Sequence, residues 1–154
     1  MRIDLSEVED FVNTLGVKLY EIPQRVIKEV IEVISKEISE EIKANAASNS
    51  MLRGKYNYDE IVNSVDIKEK VDKDGNLYVE INFKGTAPRL HKQGGKERLA
   101  AIAFLNEYGV PTHPNQPARP FLKAASVVGL DKAMPRVEEI LGKWFEEAFA
   151  DSVF

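Results

Sequence analysis

Side chains capable of chemistry are few in this chain, and their spacing is poor for it. The two histidines, His91 and His113, are the candidates for a general base or a zinc ligand. Each stands in a Gly- or Pro-rich stretch with no ligand three or four residues away, the spacing that sets two ligands on one helical face. They read as solvated loop histidines. The acid pairs Glu40-Glu41 and Glu146-Glu147 fall on polar faces of helical stretches and read as solvated surface. Gly94-Gly95 lacks the Lys-Ser/Thr and the strand-to-helix setting of a phosphate loop. There is no cysteine, which excludes thiol catalysis, thiolate metal sites and disulfides. No nucleophile, acid–base pair or metal set assembles. The expectation is a protein that is not an enzyme and uses no cofactor or metal.

The concentrated feature is basic. Lys84, Arg89, His91, Lys92, Lys96 and Arg98 lie between positions 84 and 98 with a single acid, Glu97, among them. Such a cluster suits phosphate or an acidic protein surface. The whole chain carries a net charge of -4, so its remainder is distinctly acidic, which is the wrong balance for a general nucleic-acid binder. One copy would hold DNA weakly, whereas a ring of copies would sum its attraction to the backbone without reading sequence.

Length and composition set the frame for these groups. At 154 residues, 44% hydrophobic and 30% charged, the chain is expected to form a single domain over 1–154 with a real core. No apolar run approaches the ~20 residues that cross a bilayer, so no membrane partner is expected. The opening Met1-Arg2-Ile3-Asp4-Leu5 lacks the apolar segment of a signal peptide, and the absence of cysteine fits folding in a reducing cytoplasm.

The elements that must position the basic cluster follow from periodicity. Ser6 and Glu9 have capping-box spacing, and Val8, Phe11, Val12 and Leu15 share a helical face that ends at Gly16, which predicts a helix near 7–15. Pro23 then opens a long helix near 23–48. Its stripe is Ile27, Ile31, Ile34, Ile38 and Ile42, widened by Val26, Val30 and Val33 in the first half only. A length of roughly 37 Å predicts that part of it projects or meets another subunit. Asn45 to Asn57 reads as a connector and Tyr58 to Ser64 as a short helical turn. The period then becomes two. Val65, Ile67 and Val71, and after Asp74-Gly75 the run Leu77, Val79, Ile81 and Phe83, predict an antiparallel hairpin with one buried face. Residues 85–96 read as an exposed loop, 97–108 as a helix stopped by Gly109, 121–125 as a short helical piece, and 132–150 as the last helix with Asp131 as N-cap. The fold class expected is α+β: long N-terminal and C-terminal helices on a small antiparallel sheet built around the hairpin.

The most specific stretch runs from Ile102 to Ala125. Glu107-Tyr108-Gly109 is followed by a Pro-rich connector and then by Ala118-Arg119-Pro120-Phe121-Leu122. Phe121 and Leu122 read as core and Pro120 as the residue that fixes the chain's direction into the following helix. Arg119 reads as a structural partner, and opposite charges at the two ends of the connector predict a Glu107–Arg119 ion pair.

This pattern resembles the signature of tailed-phage head–tail joining proteins, also called tail-completion or neck proteins, or minor tail proteins of the lambda Z type. The likeness is strongest over 102–125 and extends in outline along the chain. Val110 stands where such proteins often carry Thr or Ser, and the connector is somewhat long. The resemblance implies a structural virion protein of a phage or prophage. It implies a homo-oligomeric ring, commonly a hexamer, at the neck between capsid portal and tail tube, needed for tail completion and head–tail joining. It implies contacts with neighbouring neck, connector or tail-tube proteins, with non-specific contact to DNA in the channel as a further expectation for the basic loop. The location implied is the virion neck after assembly and the host cytoplasm before it. The alternative reading is an accessory nucleic-acid-binding module that uses the basic loop 84–98.

Overall fold

The computed structural model describes residues 1–47, 58–88, 96–109, 118 and 120–150. The fold is α+β, as the patterning predicts. In chain order it runs β1 (Arg2–Asp4), α1 (Ser6–Thr14), a 3-10 turn (Leu19–Glu21), α2 (Gln24–Ala47), α3 (Tyr58–Asn63), β2 (Val65–Val71), β3 (Leu77–Phe83), β4 (Thr86–Pro88), β5 (Lys96–Arg98), α4 (Leu99–Tyr108) and α5 (Lys123–Phe149). Strands β1, β3 and β2 form one antiparallel sheet in that spatial order, and β4 and β5 form a separate two-stranded ribbon.

The long helices α2 and α5 form the main helical layer. In α2, Val26, Ile27, Val30, Ile31, Ile34, Ile38, Ile42 and Ala46 are all buried, so the apolar stripe is covered by its own chain from end to end. Among the described residues no end of the stripe projects from the subunit, and the helix, Gln24–Ala47, matches the expected 23–48. The remainder of the expected connector, 48–57, lies outside the described residues.

What covers α2 is a single α5, not two pieces. Asp131 lies inside α5 and does not cap it. Gly129 lies between the two expected pieces, and Pro135 lies within the expected 132–150 helix. Pro135 has no N–H to continue the ladder, but it is exposed, so the carbonyl it leaves open faces water. Gly129 is buried against α2, where an added Cβ would lie 2.7 Å from the Ile38 Cα and 2.9 Å from the Ile38 backbone N. Glycine there is the condition for the two helices to approach. Around this contact the buried apolar side chains of both helices, the sheet and α4 form one cluster.

The sheet lies on that cluster through β3, whose Leu77, Val79, Ile81 and Phe83 are buried while Tyr78, Glu80 and Asn82 are half-buried, matching the expected alternation. The hairpin is antiparallel as expected, in a register that sets Val65 opposite Phe83 and Val71 opposite Leu77. Strand β1, opposite β3 with Ile3 against Val79, has no signal in the sequence because three residues are too few to show a period. The capping box does not form. Helix α1 begins at Ser6 with Leu5 as an N-cap that makes no side-chain bond. Glu9 instead accepts the Leu77 N–H at 2.6 Å, tying α1 to the start of β3.

Asp72 organises the hairpin turn. Its Oδ1 accepts the N–H groups of Asp74 and Asn76, both at 2.9 Å, and Gly75 supplies the left-handed residue (φ 85°). Its Oδ2 accepts Arg2 Nη2 at 2.9 Å, and the Arg2 guanidinium lies 4.1 Å over the Tyr78 ring, so one arginine clamps all three strands. The Arg2 hydrogen bond, then the Asn76 N–H, hold the Asp72 carboxyl at about 2 against an ordinary 3.8. A depressed carboxyl stabilises the fold fully above its unfolded value and loses that contribution as pH falls through the folded one. Wild type should therefore be more stable than Asp72→Asn above about pH 4, and the gap in urea midpoint should close between pH about 4 and about 2. A gap unchanged over that range would refute the clamp.

Candidate functional site

The two halves of the Ile102–Ala125 motif meet through Glu107. Helix α4 ends at Gly109 (φ 74°), whose N–H returns to the Leu105 carbonyl at 2.8 Å. Glu107 lies in that last turn and is only 4% exposed. Its Oε2 accepts the N–H groups of Phe121 and Leu122 at 2.7 and 2.8 Å, and its Oε1 accepts that of Lys123 at 3.1 Å. These are orphan donors at the start of α5, whose N-cap, Leu122, has no side-chain oxygen to satisfy them. The carboxylate therefore caps α5 from another helix, and its negative charge faces the positive end of the α5 dipole.

The expected partner of Glu107 was Arg119, which lies outside the described residues, as does His113. Among the described residues, the partners of Glu107 are these three backbone N–H groups. The rest of the motif is placed as follows. Phe121 and Leu122 are core, at 1% and 0% exposure. Ala118 and Pro120 are exposed. Tyr108 is also exposed, and its ring stacks on Phe104 with centroids 6.3 Å apart. Phe104 meets Phe83 edge-on at 6.0 Å, and Phe83 meets Phe121 at 6.4 Å. An aromatic path thus links β3, α4 and the start of α5. Asn45 of α2 adds a long contact, donating to the Phe121 carbonyl at 3.5 Å. The site is a structural latch that fixes where the Pro-rich connector leaves and returns.

The basic cluster is arranged differently from the loop expected. Its ends are strands: Thr86 pairs with Arg98, Ala87 with Glu97 and Pro88 with Lys96. The Leu99 N–H then bonds the Gly85 carbonyl at 3.1 Å, closing the ribbon at its base. Lys84 is exposed and lies 3.5 Å from Asp66 Oδ1. Arg98 is exposed at the N-cap of α4. The ribbon thus sets Lys84 and Arg98 at its foot, with Lys96 at the far end of β5. Arg89, His91 and Lys92 lie outside the described residues. Among the described residues no group of His, Asp or Glu is placed to hold a metal ion. None of the described helices is long and apolar enough to cross a membrane.

Sequence reasoning placed Glu107 in the motif but missed what it does. The legible signal was negative: α5 starts without Ser, Thr, Asp or Asn at its cap, so an acceptor has to come from elsewhere. Comparison with protein-family models, with curated proteins and with solved structures finds no match to this chain.

Proposed function

We propose that this protein is a structural component of a phage or prophage particle, a neck subunit that completes the tail and joins it to the head as part of a homo-oligomeric ring. The observation that carries the reading is the Glu107 latch. The Glu-Tyr-Gly and Ala-Arg-Pro-Phe-Leu segments that resemble the head–tail joining signature are bonded to one another, Glu107 to Phe121 and Leu122. Their pairing in sequence therefore has a physical reason, and the motif acts as one unit that presents the connector between them.

In this reading the ribbon β4–β5 and the residues between its strands present the positive charge of the neck ring. Acidic groups from outside the chain meet it, either carboxylates of an adjoining connector or tail-tube ring or DNA phosphates in the channel. The apolar stripe of α2 is consumed within the subunit, so ring contacts fall on other surfaces. The subunit is cytoplasmic in the host before assembly and part of the virion neck after it.

The fourfold change of Lys84, Arg89, Lys92 and Lys96 to Ser tests the role of the charge. The one ion pair it removes among the described residues, Lys84–Asp66, is exposed on the lysine side and contributes at most about 1 kcal/mol, so the fold should survive. If the partner is a protein ring, head–tail joining fails and high salt reproduces the defect in wild type. If it is DNA, joining proceeds and DNA retention suffers. Wild-type joining together with normal infectivity would remove the basic ribbon from the proposal. Copy number is tested by mass measurement of the protein within assembled particles, where several copies per neck are expected and a single copy would contradict a ring.

A further inference from the structure

Strand β2 closes the three-stranded sheet on one side, and among the described residues no strand pairs with its outer edge. Hydrogen bonding fixes which of its groups face outward. Lys84 N–H bonds the Ser64 carbonyl at 2.9 Å and Asp72 N–H bonds the Asn76 carbonyl at 3.0 Å. In the β2–β3 register these mark the pairs that exchange bonds, so Ser64, Asp66, Lys68, Lys70 and Asp72 turn their backbone groups toward β3. The N–H and C=O groups of Val65, Ile67, Glu69 and Val71 turn away from it, and among the described residues nothing accepts or donates to them. On the other side of β3, Ile81 and Leu77 bond Met1 and Leu5, so β1 blocks that edge along its length. The sheet's other edge is then β1 itself, a three-residue strand, so the seven-residue β2 offers the longer edge for a further strand.

The charges on β2 discriminate among the strands that could join it. Its solvent face reads Asp66, Lys68, Lys70, Asp72, and like charges directly opposite one another oppose pairing. For two copies of β2 meeting antiparallel through their outward groups, the two-fold axis falls on a residue. Centred on Asp66, Lys68 or Lys70, that residue faces its own like charge at the axis, although Asp66–Lys70 pairs flank the Lys68 axis and Lys68–Asp72 pairs the Lys70 axis. Centred on Glu69, Lys68 faces Lys70 and Asp66 faces Asp72. Centred on Val65 or Val71, at the strand ends, little of the strand overlaps. Centred on Ile67, Asp66 faces Lys68 on both sides of the axis, Ser64 faces Lys70, and Ile67 meets Ile67. In that arrangement Val65 and Glu69 exchange backbone bonds across the junction, as do the two Ile67 residues. The lysine is available for this. Lys68 is 62% exposed and lies 3.6 Å from Asp66 of its own strand, within reach of a second Asp66 across the edge. The charges that protect this edge from arbitrary strands thus favour the Ile67-centred register, which keeps two opposite-charge pairs and has no like charges opposed.

We propose that the β2 edge is a two-fold pairing surface for a second copy of this chain, joined antiparallel about Ile67 into a continuous sheet ordered β1-β3-β2-β2-β3-β1. A two-fold contact closes on itself, so it makes pairs and not rings. It stands apart from the neck reading and is tested on the isolated protein.

The test is sedimentation equilibrium of the purified full chain over a concentration series, with circular dichroism as a check that each variant folds. Wild type should show a reversible monomer–dimer equilibrium. Lys68→Asp sets a carboxylate against Asp66, and Asp66→Lys sets an ammonium against Lys68, in each case twice across the axis. Each should weaken the dimer by about tenfold or more. Mixing the two single variants should restore it, because each then supplies the charge the other needs. The double variant, Asp66→Lys with Lys68→Asp, should also dimerise. A wild-type monomer at the highest soluble concentration would overturn the proposal. So would a dimer indifferent to Lys68→Asp, or single variants that fold but fail to associate when mixed.

Discussion

Glu107→Ala should be among the most damaging single substitutions, lowering the free energy of unfolding by about 3–5 kcal/mol. Two of the donors it would strand, the N–H groups of Phe121 and Leu122, belong to residues that are almost completely buried, so water does not readily replace the carboxylate. A hydrogen bond to a charged group contributes about 1.5–3 kcal/mol, and a buried donor left without a partner costs about 1–3. Those terms do not add fully, since the loop before α5 can relax, which sets the middle of the range. Glu107→Gln keeps an acceptor oxygen without the charge and should lose roughly half as much. Denaturant unfolding of the two variants gives both numbers. If Glu107→Ala cost under about 1 kcal/mol, the carboxylate would be a surface group and the latch would not exist. Arg119→Ala measured alone and with Glu107→Ala gives any coupling between the two residues from a double-mutant cycle.

Gly129→Ala should also destabilise, against the direction of helix propensity. In an exposed helix interior, Ala for Gly gains about 1 kcal/mol. Here the added methyl meets the Ile38 backbone at 2.7 Å and its Cγ1 at 2.9 Å, and backbone in the centre of a helix cannot swing aside. Separating α2 from α5 by enough to admit it would loosen the packing of Ile34, Ile38 and Ile42 along the same face. The expected net loss is about 1–3 kcal/mol, as for other overpacked cores, and it should appear as a lower midpoint in thermal unfolding. A raised midpoint would mean that the two helices are not in contact at Gly129.

These two positions also mark where sequence patterning stops being informative. The periodicity of Ile27 through Ile42 and the alternation of Leu77 through Phe83 report a buried stripe and a buried face directly, because the pattern and the packing share a period. The partner of a stripe has no such signature. Gly129 has the composition of a break and the role of a contact, and only the position of α2 distinguishes them. Glu9 and Glu107 show the same limit for polar groups. The capping-box spacing sends Glu9 to a backbone N–H at the start of its own helix, whereas it accepts that of Leu77, and the three N–H groups that Glu107 accepts carry no residue type to recognise. For the site, the sequence named Glu107, Phe121 and Leu122 together through the motif, while the bond that joins them came from the fold. For the basic cluster it gave the composition and not the ribbon, since Pro88 and short polar strands hide a two-residue-period signal.

The most direct test of the proposed neck role is electron microscopy of phage particles made when the gene for this chain is deleted from the genome that carries it. The account predicts DNA-filled heads and separate tails that do not join, with joining restored when the intact chain is supplied in trans and not when Glu107→Ala is supplied. Complete, joined and infectious particles from the deletion would contradict it.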